Sequence, residues 1–118
     1  MKIRDAWALL FPRKPVYDLD RAVVVVFSQL PADARQRLDH ADVEAILRMA
    51  FRYREERGLG ESREGRPAAR IPAEQLDEAV AYIRTKAEQR GHACAEGDIR
   101  AVLEAEVVFM RKAGLIHD

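Results

Sequence analysis

Most of the features by which a sequence announces chemistry are missing here. There is one cysteine, Cys94, so no internal disulfide can form. Ser28 and Ser62 are the only serines, and neither sits in the tight glycine-flanked turn that exposes a catalytic nucleophile. No CxxC pair or HExxH motif offers the four ligands that hold a zinc ion. Gly58, Gly60 and Gly65 stand without the preceding strand and the Lys-Ser/Thr pair of a phosphate-binding loop. No metal and no cofactor is expected, and nothing in the composition supports an enzyme.

Charge of one sign is missing too. The 20 Lys and Arg balance the 20 Asp and Glu, which gives no global attraction for nucleic acid. Long apolar runs are absent: AVVVVF at 22–27 falls far short of the roughly 20 residues that span a bilayer. The start of the chain lacks the charged, apolar and small-residue blocks of a signal peptide, so a cytoplasmic protein without a membrane span is expected. The charge is uneven along the chain. Residues 1–70 hold 14 basic against 11 acidic side chains and residues 71–118 hold 6 against 9, which makes the halves +3 and −3.

What the chain does have is repetition. DVEAILRMAFRYREERGL at 42–59 aligns with DIRAVLEAEVVFMRKAGL at 98–115, matching Asp42, Ala45, Leu47, Gly58 and Leu59 to Asp98, Ala101, Leu103, Gly114 and Leu115. LDRAVVVVF at 19–27 aligns with LDEAVAYIR at 76–84 in the same order, at a spacing that differs by one residue. Two matches in one order point to an internal duplication. The duplication also bears on a local conflict, because Val23 to Val26 favour a strand by propensity. Leu19, Ala22, Val23, Val26, Phe27 and Leu30 nevertheless fall at helical spacing, and the second copy replaces valine with better helix formers.

The expected fold is all-α: two tandem helical hairpins packed as a four-helix bundle-like single domain, with a short N-terminal helical arm. The arm covers 1–17, with Ile3, Trp7, Leu10 and Phe11 on one face and Trp7 as its anchor. The first hairpin covers 18–59, with helices near 19–30 and 42–57 and an extra helical turn after Pro31. Residues 60–71, rich in Gly, Arg and Pro, read as an exposed linker. The second hairpin covers 72–118, with helices near 73–90 and 97–113. Asp18 is placed to cap the first helix. Gly58-Leu59 and Gly114-Leu115 read as left-handed stops followed by an apolar residue.

Four sets of residues stand out within that frame. Glu106 aligns with Ala50 and falls among Val102, Leu103 and Met110 on the inner stripe, so it must reach the edge, find an Arg or His partner or shift its pKa. A rim residue paired with an arginine such as Arg54 or Arg84 is expected, or else a polar spot in an intersubunit or ligand groove. Phe51, Val107, Val108 and Phe109 carry apolar character beyond one stripe, which suits a second neighbour. Phe51, Glu106 and Val108 are therefore the candidate interaction residues, with a second copy of the chain or another protein as partner.

Arg48, Arg52, Arg63, Arg66 and Arg70 lie in the most basic stretch and are the candidate nucleic-acid contacts, although both second helices begin acidic and Glu44 and Glu55 lie at ion-pair spacing. His92 and Cys94, in GHACAEGD at 91–98, form a weaker candidate loop site. The function expected is that of a non-enzymatic interaction or scaffold module that self-associates as a homodimer. The alternative is a nucleic-acid-associated regulator.

Overall fold

Four successive valines enter a helix because the apolar spacing, not the propensity of each residue, decides which face can be buried. A computed structural model describes residues 15–60 and 63–117, and places Val23 and Val26 in the core while Val24 stands 56 % exposed. All regular structure among the described residues is helical. In chain order it comprises α1 Leu19–Gln29, α2 Ala32–Arg37, α3 His40–Glu56, a 3-10 turn Ala73–Gln75, α4 Leu76–Gln89 and α5 Glu96–Lys112. No helix among them is long and apolar enough to cross a membrane.

Local chemistry fixes where the helices begin and end. The Asp18 carboxylate accepts from the Arg21 backbone N–H to start α1. Asp39 and Asp42 form a reciprocal capping box at α3, each side chain accepting from the other's backbone N–H. At the end of α3, Gly58 adopts φ +68° while the Leu59 N–H donates to the Arg54 carbonyl and the Gly58 N–H to that of Glu55. The end of α5 repeats this with Gly114 at φ +74°, Leu115 donating to Met110 and Gly114 to Arg111. Both are Schellman stops, closed by a residue that must be left-handed.

Buried side chains on α1 (Leu19, Ala22, Val23, Val26) face α3 and α5, and those on α4 (Ala79, Val80, Ile83, Ala87) face the same two helices. The 17-residue helices α3 and α5 also touch each other, joined through Ile46, Leu47, Ala50, Ile99, Val102 and Met110 in one core. Arg37 at the end of α2 reaches across to α5, where its guanidinium holds both oxygens of the buried Asp98 at 2.8 and 2.7 Å.

The segment expected to be an exposed linker is partly structural. The Tyr17 N–H donates to the Arg66 carbonyl at 2.8 Å, and the Gly65 N–H donates to the Tyr17 carbonyl at 2.7 Å. Ala68 and Ile71 are buried, Ile71 beside Leu76 and Leu103. A run of Gly, Arg and Pro signals a break in helix but says nothing about what two apolar residues within it will cover. The arm anchored by Ile3, Trp7, Leu10 and Phe11 lies outside the described residues. Pro15 to Tyr17, which follow it, are not helical.

Candidate functional site

The least ordinary chemistry in the molecule is a charged cluster inside its core. Tyr17, Arg54 and Glu106 are each no more than 1 % exposed. The Arg54 guanidinium donates to Glu106 Oε1 at 2.5 Å and to Oε2 at 3.3 Å, and the Tyr17 hydroxyl donates to Oε2 at 2.7 Å. The Tyr17 ring meets Phe51 and Phe109 edge-on, with centroids 4.8 and 5.4 Å away. Burial, reinforced by the adjoining carboxylate, pushes the Tyr17 hydroxyl well above the ordinary tyrosine range. Tyr17 therefore keeps its proton, and the cluster acts as a lock that ties the segment before α1 to α3 and α5.

Two of the three candidate interaction residues belong to this lock. Phe51 is buried against Tyr17, and Glu106 has Arg54 as its partner, as its charge requires, but deep in the core and not at a rim. Arg84, the other cation considered for Glu106, pairs with Glu96 at 2.8 Å. Val108 differs: it is only partly buried and lines a surface groove of about 260 Å³ with Gln29, Pro31, Ala101, Glu104 and Ala105. A second groove of about 480 Å³ follows the same α1–α5 seam, lined by Val16, Arg21, Val25, Phe109 and Lys112 among others.

The sequence placed His92 and Cys94 near each other in a loop, and they share the wall of a groove. This space of about 370 Å³ lies between α3 and the end of α4, with Ala41, Asp42, Ala45, Ile46, Met49, Ala87 and Arg90 as its other lining residues. Burial first, then the carboxylates of Asp42 and Asp98, push the Cys94 thiol up from its ordinary value. That direction keeps it protonated and slow as a nucleophile. The carboxylates of GHACAEGD are committed elsewhere, Glu96 to Arg84 and Asp98 to Arg37. Among the described residues no group of three or more His, Cys, Asp or Glu is placed to hold a metal ion.

The chain matches no family model, no curated protein and no solved structure.

Among the described residues, the candidate nucleic-acid arginines that line grooves fall in two different ones. Arg48 and Arg52 line a space of about 230 Å³ with Met49, Phe51 and Arg90, whereas Arg70 lines another beside Leu76, Leu103 and Glu104. Arg48 pairs with Glu44 at 3.2 Å and Arg63 with Glu55 at 2.5 Å. The Glu55–Arg63 pairing, and not the helical neighbour Arg52, is the main cause that holds the Glu55 carboxyl below its usual range. Arg66 is exposed and joins the Tyr17 segment through its backbone carbonyl.

Sequence reasoning missed Tyr17, Arg37 and Arg90. Tyr17 carried one signal, an aromatic residue directly before a helix cap, which is too common to single out. Arg37 and Arg90 carried none, because the partner or groove that gives each its meaning is supplied by another helix.

Proposed function

We propose that the protein is a non-enzymatic helical interaction module that self-associates along the α1–α5 seam. The observation that carries this is the seam itself: two grooves end to end, with Val16 half exposed and Val25 and Val108 partly so. Its ends differ in charge, with Arg21 and Lys112 outnumbering Asp18 at one and Glu104 at the other. A second copy docked antiparallel about a two-fold axis would set each basic end against the partner's acidic end, the self-complementary pattern that an isologous interface needs.

The frame behind the seam reads as a duplicated pair of hairpins forming a four-helix arrangement. Support comes from the equal lengths of α3 and α5, their identical glycine-leucine stops, and the way α1 and α4 each pack against both of them. Nucleic-acid binding draws less support, since its candidate arginines are dispersed and two are paired with acids.

Sedimentation or light scattering across the micromolar range tests the proposal. The wild type is expected to dimerise, and Val108→Glu to remain monomeric with an unchanged helical spectrum, because burying an unpaired carboxylate at the contact is unfavourable. A wild-type chain that stays monomeric at high micromolar concentration sinks the self-association.

A further inference from the structure

We propose a binding site for a small amphiphilic anion in the α3–α4 groove: a short apolar chain carrying one carboxylate or phosphate head. Two spaces adjoin there through shared walls. The larger, about 370 Å³, has Ala41, Ala45, Ile46, Met49 and Ala87 as its apolar surface. That is near the lower end of what small-molecule sites enclose, and at about 30 Å³ per water it corresponds to roughly a dozen waters or a chain of about eight to ten heavy atoms. The smaller, about 230 Å³, shares Met49 and Arg90 with it and adds Arg48, Phe51 and Arg52.

The apolar space therefore shares its Met49 and Arg90 wall with a space lined by three arginines. Arg48 has Glu44, and Arg52 lies close enough to Glu55 to help lower its carboxyl, but Glu55 is hydrogen-bonded to Arg63; among the described residues no ion pair engages Arg90. Three arginines beside two carboxylates, one of them shared with Arg63, leave a positive surplus, and an anionic head bound among them offsets it while accepting charge-assisted hydrogen bonds. His92, also on the wall of the larger space, adds a ring N–H donor.

Glu44 and Glu55 flank the arginines, each already paired, and one acid lines the larger space, Asp42. Its Oδ2 accepts the Asp39 backbone N–H in the capping box, which ties the carboxylate to the start of α3, about two turns before Arg48 and about three before Arg52. An uncharged apolar molecule leaves the positive surplus unanswered and a bare anion leaves the apolar wall wet. Only a ligand with both parts satisfies both spaces.

The site shares no lining residue with the α1–α5 seam, so it stands or falls separately from self-association. The test titrates the full-length, isotope-labelled protein with sodium octanoate, octyl phosphate, 1-octanol and inorganic phosphate, following the Met49 methyl and the His92 amide by NMR. Saturable shifts at both reporters are expected with octanoate or octyl phosphate, the tighter of the two identifying the head group. Octanol and phosphate are expected to bind at least about tenfold more weakly, the scale of one to two lost charge contacts.

Two folded variants separate the parts. Arg52→Glu with Arg90→Glu should weaken the anion about tenfold or more without altering octanol, and Ala45→Phe should block both. Absence of saturable shifts at Met49 for either amphiphile overturns the site, as does binding that the double charge reversal leaves unchanged.

Discussion

Taking the carboxylate from Glu106 removes the counter-ion that a guanidinium only 1 % exposed holds in the core, and the loss of one member of such a pair is far costlier than the pair is worth. Glu106→Ala is expected to lower unfolding free energy by about 3 to 5 kcal/mol, and Tyr17→Phe, which removes one hydrogen bond to a charged acceptor, by about 1.5 to 3 kcal/mol. Urea denaturation of the two variants checks both values and their order.

Asp98 adds a pH dependence of definite sign. Its hydrogen bonds from Arg37 hold the carboxyl below the usual range, so the folded state favours the ionised form. That stabilisation is present above the unfolded value of about 4 and is lost as pH falls through the lower folded value. Asp98→Asn should flatten the acid limb of a stability-against-pH curve while leaving its neutral slope alone. A wild-type acid limb in the variant would contradict that. At this scale the sequence spoke clearly about need and poorly about place. A glutamate on an apolar stripe demanded a partner, yet Arg54 and Arg84 stood equal in the sequence, and the fold gives Arg54 to Glu106 and Arg84 to Glu96. Arg37 and Asp98 lie 61 residues apart, and no pattern in either segment links them.

The helices themselves were legible nearly to their ends. Periodicity is a property of contiguous residues, and caps are read from one or two positions, so α3 at His40–Glu56 and α5 at Glu96–Lys112 begin and stop within two residues of the spacing seen in sequence. The glycine stops make this testable. Gly58 has φ +68° with nothing within 4 Å of an added Cβ, so Gly58→Ala meets no clash and its entire effect is backbone strain. A loss of about 1 to 2 kcal/mol is expected by chemical denaturation. A neutral result would mean that the end of α3 relaxes to another stop. What periodicity does not convey is how non-helical backbone is used. The pairing of Tyr17 with Gly65 and Arg66 turns a glycine-rich joint into a fixed tie, and the residues that do so are joined only by peptide groups, which every sequence has.

Across the whole molecule, buried surface and free surface part company in a way that single helices do not reveal. Phe51, Val108 and Glu106 share one reason for notice in the sequence, but the core takes Phe51 and Glu106 and leaves Val108 on the seam. If the seam joins two copies, added salt should weaken the dimer modestly through Arg21, Lys112 and Glu104, because charges at a wet rim are screened while apolar contact is not. The groove holding His92 and Cys94 was visible only as a loop, since α3 supplies its other wall.

The core lock has a consequence in time. Arg54 precedes its counter-ion by 52 residues and Tyr17 precedes the same carboxylate by 89. At about 5 to 20 residues per second, Arg54 leaves the peptidyl-transferase centre roughly 3 to 10 s before Glu106 exists. During that interval Arg54 lacks the carboxylate that meets it in the folded core. The cluster that ties Tyr17, α3 and α5 together is therefore completed only when the last helix has been made.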